Sequence, residues 1–169
     1  MEEKLASEFI SQSIFRMDES TQRIGRCLEL LPEDAVWKRP NDNSNSIGNL
    51  ILHLCGNIRQ YAISSLGGAP DSRVRDAEFA AREGHTKQEL QERLVATVEE
   101  AKMCMLRTSP EALLRVRTVQ GFELSGMGII IHVTEHYSYH TGQIAFWTKI
   151  LQQEDLRFYG GIDLNVKNE

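Results

Sequence analysis

His132, His136 and His140 follow one another at intervals of four residues in the stretch His132-Val133-Thr134-Glu135-His136-Tyr137-Ser138-Tyr139-His140-Thr141-Gly142-Gln143. On a helix, residues four apart are separated by about 40° of rotation and about 6 Å of rise, so neighbouring imidazoles in this row can reach one ion. The first and last are about 12 Å apart along the axis, too far for all three to share a metal on a straight helix. The chemistry on offer is divalent-metal binding by two of them, completed by a ligand from elsewhere.

The helix that carries the row decides which two. From Ile129 onward the inward spacing runs Ile129, Val133, His136, His140, Ile144 or Gln143, Trp147 and Leu151, alternating threes and fours as a core-facing seam does. His136 and His140 fall on seam positions and His132 on the flank. A single seam histidine is most often a hydrogen-bonded core residue. Two side by side cost several kcal/mol in unmade hydrogen bonds unless partners or a metal receive them.

Four long helical stretches can position such a site. The first spans about Lys4 to Leu31, with Phe9, Ile10, Ile14, Met17, Ile24, Cys27, Leu28 and Leu31 on one face and Pro32 as its stop. A polar loop, Lys38 to Asn45, leads to Ser46 as N-cap of the second, whose face is Ile47, Leu50, Ile51, Leu54, Ile58, Tyr61 and Leu66 before Gly67-Gly68-Ala69-Pro70. Thr86 and Glu89 form a capping box that opens the third, with Leu90, Leu94, Val98, Ala101 and Met105 inward to about Arg107. Ser109-Pro110-Glu111 starts a short extra turn, and Val116 to Phe122, lacking an evident partner strand, reads as an extended connection. The fourth begins near Leu124 or Ser125 and reaches about Gln152, followed by a tail whose Phe158 and Tyr159 can pack back on the helices. Helices of this length with long connections describe an all-α four-helix bundle with long crossovers, in which metal sites are built from inward-facing side chains of different helices.

The third ligand should therefore come from another helix. His85 lies in polar sequence just before a helix cap and reads as a surface residue, whereas His53 sits in the apolar run Leu50-Ile51-Leu52-His53-Leu54. His53, His136 and His140 are the expected metal ligands. Three histidines are one short of the four protein ligands that close a structural zinc site, which leaves a position for water or substrate.

The chain has 169 residues, 41% hydrophobic and 25% charged, with a net charge of −5. That fits a single domain, 1–169, able to bury a core without staples. An acidic balance argues against nucleic acid as a partner, because phosphate binding needs concentrated Lys and Arg. No apolar run approaches a membrane span, and the N-terminus, Met1-Glu2-Glu3-Lys4-Leu5, lacks the basic start and apolar centre of a secretion signal, so a cytoplasmic location is expected. Cys27, Cys55 and Cys104 are odd in number and widely spaced, which speaks for buried thiols over disulfides or a thiolate zinc site.

The stretches Asn45 to Gln60, Arg75-Asp76-Ala77-Glu78-Phe79 and His136-Tyr137-Ser138-Tyr139-His140-Thr141-Gly142-Gln143-Ile144 together resemble the DinB/YfiT-like family of small bacterial proteins, over nearly the whole chain. The resemblance implies a four-helix bundle with a divalent metal held by one histidine of the second helix and a His-x-x-x-His pair on the last long helix ahead of Gly-Gln. In this sequence those positions are His53, His136 and His140. Family members of known activity are metal-dependent enzymes of low-molecular-weight thiols, including bacillithiol transferases and a mycothiol-dependent maleylpyruvate isomerase. The resemblance thus implies a thiol-dependent S-transferase or a related hydrolase or isomerase, with a small-molecule substrate and a thiol as co-substrate.

A metal held by three histidines lowers the pKa of bound water to about 7 and binds a thiol as thiolate, so either ligand becomes a nucleophile. Groups beyond the ligands must fix tautomers and move protons, and Asn57, Glu135 and Gln143 are candidates by spacing. Zinc is the first expectation and nickel the second, with iron, copper and manganese behind them. Two alternatives compete: a non-catalytic, stress-related binding module with a structural metal, and an H-x-x-E-H zinc hydrolase through His132, Glu135 and His136, which leaves His140 buried without a role. A di-iron bundle needs Glu-x-x-His pairs from two helices, which are lacking. Apolar residues on the first helix or Trp147 offer a seam for a homodimer.

Overall fold

The computed structural model describes residues 1–168. Four long helices dominate: α1 (Glu2–Leu30), α2 (Ile47–Ile58), α4 (Lys87–Leu106) and α6 (Gly126–Gln152), with short helices α3 (Arg75–Ala80) and α5 (Pro110–Leu114) between them. α1 packs along α6 and α4, and α2 packs against the same two, so α1 and α2 sit diagonally across a four-helix bundle. That diagonal explains the long connection between them, which must cross the end of the bundle.

Four of the helices begin where a side chain can take an orphan N–H. Ser46, Thr86, Ser109 and Ser125 accept from the backbone of Asn49, Glu89, Ala112 and Gly128 respectively. The expected inward faces of α1 and α4 hold: Met17, Ile24, Cys27, Leu28, Leu90, Leu94, Val98, Ala101 and Met105 are buried. α2 is buried on almost every side, Ile47 to Cys55 without a break, because α3 and the preceding loop cover the face turned away from the bundle.

Three features depart from the sequence expectation. Val116–Val119 is a strand, β1, paired antiparallel with β2 (Phe122–Ser125). Gln120 and Gly121 turn the hairpin with φ of 52° and 83°, the double positive of a type I′ turn, which hid because glutamine is an unusual first residue for it. The second helix runs on past Ile58 as a π-helical stretch, Arg59–Leu66, ending where Gly67 N–H donates to Ala62 O at 2.9 Å. A π turn takes up one more residue than an α turn and so slows the rotation of the helix face, which keeps Tyr61 near the line of His53 and Asn57. On α6 the buried line passes through Val133, Tyr137, His140, Thr141, Ile144 and Thr148, and His136 lies at its half-buried margin.

The connections are pinned by side-chain hydrogen bonds. Trp37 donates from its indole to His85 O at 3.0 Å, and its ring occupies the space a Cβ at Gly48 would need. Trp147 donates to Lys38 O at 3.1 Å, fastening the first connection to α6. Thr21 gives its hydroxyl proton to Met17 O, so Tyr137 is the donor in the 2.9 Å bond between the two hydroxyls that ties α6 to α1. In the tail Leu156 enters the core, Phe158 packs against it, and Tyr159 accepts from Arg23 at 3.0 Å. Among the described residues, no helix is long and apolar enough to cross a membrane.

Candidate metal centre

α2 and α6 cross so that His53, His136 and His140 converge, each presenting a ring nitrogen within 4.8 Å of the others. His53 and His140 are 6% and 8% exposed, and His136 is half-buried. The Nε2 atoms of His53 and His136 are 2.9 Å apart, and the His140 ring stands edge-on to both, with centroids 5.0 Å from His53 and 4.4 Å from His136.

The outer nitrogens are held by acceptors. His140 Nδ1 lies 2.7 Å from Gln143 Oε1, and His53 Nδ1 lies 3.0 Å from Glu78 Oε2. An amide oxygen and a carboxylate can only accept, so both rings carry their proton on Nδ1 and leave an Nε2 lone pair facing inward. In the metal-free chain His136 supplies the proton that joins the two Nε2 atoms, since two facing lone pairs would repel. Two imidazoles with tied outer nitrogens and inward lone pairs, and a third whose Nε2 proton an ion would displace, make up the donor set a borderline-soft divalent ion takes.

Arg73 completes the carboxylate side. Its Nε and Nη2 donate to Glu78 Oε1 and Oε2 at 2.8 and 2.9 Å, and Nη1 donates to Gln60 Oε1 at 2.9 Å. Its Nη2 also approaches His53 Nδ1 at 3.1 Å. With the ring proton directed at Glu78, that approach is a contact between two donors. Burial alone would raise the Glu78 carboxyl, but the bonds from Arg73 and His53 outweigh it and hold the group below the usual carboxylate range. Neither Arg73 nor Glu78 was expected at the site from periodicity; Glu78 lies on the six-residue α3, too short to show a pattern. Gly56 supplied the available signal, one turn after His53: a Cβ there would overlap Glu78 Oε1.

Of the three expected supporting residues, Gln143 binds His140 and Asn57 meets His132, its Nδ2 lying 3.2 Å from His132 Nε2. Glu135 goes elsewhere. It is exposed and lines a groove of about 660 Å³ between α1 and α6 with Arg16, Glu19 and Arg23. One residue from His136 is about 100° around a helix, which turns the carboxylate off the imidazole face. His132 stays outside the cluster, stacked on Tyr61 with centroids 4.1 Å apart. The H-x-x-E-H arrangement therefore fails on geometry, since its base and its first ligand point away from the convergence. His85 is half-buried and distant from the trio, lining a cleft of about 580 Å³ that reaches Glu78 and Arg73 from behind. Cys55 also lines that cleft, with its thiol pushed up to about 11 by burial.

Burial, followed by the neighbouring His140, His53, His132 and Arg73, pushes His136 down to about 3, and burial lowers His140 and His132 as well. The unfolded chain binds these protons near the ordinary value of 6.5, so acid favours unfolding below that pH. Glu78 adds nothing until its own, lower window is reached. Chelator-treated protein should accordingly melt at a lower temperature at pH 5 than at pH 7.5, and His136→Ala should flatten the slope. Equal midpoints at the two pH values would contradict the burial of neutral imidazoles.

Residues 4–160 match the family described as "Protein of unknown function (DUF1572)". Comparison with curated proteins gives no match. The fold is similar to that of a DinB-like protein from Bacillus subtilis, with a TM-score of 0.67 at 18% identity over 88% of this chain and 96% of that one. It is also similar to a conserved protein from Enterococcus faecalis, with a TM-score of 0.68 at 16% identity over 85% of this chain and 97% of the other. The four-helix fold is thus shared with a DinB-like protein, and the chain belongs to the DUF1572 family.

Proposed function

We propose that the chain is a divalent-metal enzyme acting on a small molecule, with His53, His136 and His140 holding the ion and a low-molecular-weight thiol or water as the nucleophile. The observation that carries this is the convergence of three ring nitrogens within 4.8 Å. When bound, the ion would lower the pKa of a thiol or water and stabilise developing negative charge. The chain's own part is orientation: Glu78 and Gln143 hold the protons of His53 and His140 on Nδ1, and Phe79, its centroid 4.7 Å from the His53 ring, shields that ligand from water. His132, held by Asn57 and stacked on Tyr61, stands one turn from His136, placed to hydrogen-bond a substrate. Zinc is proposed as the native ion, nickel next, and S-transfer as the reaction class, with hydrolysis or isomerisation related to it. The near-complete burial of His53 and His140 favours one other reading, a structural metal in a non-catalytic module.

Tag-free protein is expected to hold close to one equivalent of metal per chain. Cobalt-substituted protein should gain a sulfur-to-cobalt charge-transfer band on adding bacillithiol, mycothiol or 2-mercaptoethanol. A bound cobalt whose spectrum ignores every thiol and every change of pH would favour the structural metal, and a chain that binds no metal would remove both.

A further inference from the structure

Among the described residues, His53 is the one imidazole of the trio whose outer nitrogen meets a charged partner. The arrangement around that partner is extensive. Glu78 is 8% exposed and grips Arg73 through both oxygens, and the Arg73 side chain is itself 3% exposed. Gln60 takes another Arg73 proton and donates to Asp71 at 2.8 Å, while Asp71 receives the Arg73 backbone N–H at 3.0 Å. The backbone around Glu78 is clamped as well. Asn49 Nδ2 donates to Glu78 O and Ala81 O, both at 2.8 Å, and Arg39 donates to Phe79 O at 2.8 Å. Burying a carboxylate and a guanidinium together gains little stability over an apolar pair, which leaves direction as what this construction supplies.

Two tautomers of His53 fit the heavy atoms. With the proton on Nδ1, the ring donates to Glu78 and its Nε2 lone pair faces His136 and His140. With the proton on Nε2, Nδ1 accepts from Arg73 and the face toward the cluster is blocked for an ion. The second form sets the Nδ1 lone pair against a carboxylate oxygen 3.0 Å away, a repulsion that the second Arg73 Nη2 proton at 3.1 Å must offset, whereas the first form makes a charge-assisted bond to that carboxylate.

We infer that Glu78, braced by Arg73, is the positioning residue of the centre: it fixes His53 in the Nδ1-protonated tautomer and thereby aims the Nε2 lone pair at His136 and His140. The consequence for metal affinity rests on the proposed metal centre, but the tautomer belongs to the metal-free chain. Carboxylates behind ligating histidines typically change metal affinity by about 10- to 100-fold when removed.

The test is long-range proton–nitrogen NMR of histidine-labelled, metal-free protein at pH 8, joined to cobalt titrations of wild type, Glu78→Gln and Glu78→Ala. The wild-type His53 ring should carry its proton on Nδ1, and Glu78→Ala should lose that preference. Cobalt affinity should fall about 10- to 100-fold in Glu78→Ala, with Glu78→Gln between, because an amide oxygen can still accept from the ring. A wild-type His53 protonated on Nε2 would overturn the inference without any variant having to fold. So would a folded Glu78→Ala chain with unchanged tautomer and unchanged cobalt affinity. Wild type that takes up no cobalt would refute the metal centre alone and leave the tautomer to be judged from the spectra.

Discussion

His53→Ala, His136→Ala and His140→Ala are each expected to weaken metal binding by about two to three orders of magnitude, while His132→Ala keeps it. Structural zinc in small domains is bound with about 10–16 kcal/mol shared among four ligands, or about 2.5–4 kcal/mol for each, and every 1.4 kcal/mol is tenfold in Kd. The three nitrogens that converge within 4.8 Å come from those three residues. His132 pairs instead with Asn57 and stacks on Tyr61, so its removal should cost about 1–2 kcal/mol of stability through the stranded Asn57 amide and leave the ion in place. Competition with a chromogenic chelator, with metal content per chain as a second readout, separates the outcomes. Retention in His53→Ala would sever α2 from the centre. Loss in His132→Ala, with retention in His140→Ala, would restore the H-x-x-E-H arrangement that the geometry rejects.

Asn49→Ala should lower metal-free stability by about 4 kcal/mol, which for a chain of this size moves the melting temperature down by about 10 °C. Asn49 is 0% exposed and every part of its amide is used. Its Oδ1 accepts from Ser46 N, Ser46 Oγ and Arg39 at 3.2, 2.8 and 2.8 Å, and its Nδ2 holds Glu78 O and Ala81 O. Truncation removes half of the capping box at the start of α2, strands the Glu78 carbonyl at about 1–3 kcal/mol, and takes one partner each from the Ala81 carbonyl, which keeps Arg82, and the Arg39 guanidinium, which keeps Phe79 O. Urea and thermal midpoints of chelator-treated protein measure the loss. A change under about 1 kcal/mol would mean that α3 docks through its apolar contacts and that the amide is dispensable.

How much of this was visible in the residues depends on how regular the segment is. The inward spacing of α1 and α4 identified Met17, Ile24, Leu94 and Met105 as core because long amphipathic helices repeat their signal many times. The same regularity selected His136 and His140 over His132, and the apolar surroundings of His53 selected it over His85. Gln143 was reachable because one helical turn is a fixed displacement, whereas Asn57, read the same way from His53, meets His132 across the bundle instead. Glu135 was not excluded, since adjacency in sequence says nothing of which face a side chain takes until the helix phase is fixed. Glu78 and Arg73 were out of reach: they approach His53 from an irregular connection whose course follows from the Asn49 and Arg39 clamps and not from any period. The π-helical stretch after Ile58 escaped because one inserted residue shifts the phase without breaking the apolar run.

Gly56 couples two positions that are far apart in the sequence. A side chain at 56 and the Glu78 carboxylate compete for the same volume, so a methyl group at 56 must push the carboxylate from its present seat. The glycine, in turn, weakens a helix by about 1 kcal/mol relative to alanine. Gly56→Ala is therefore expected to loosen the anionic support behind His53 without touching any ligand of the centre.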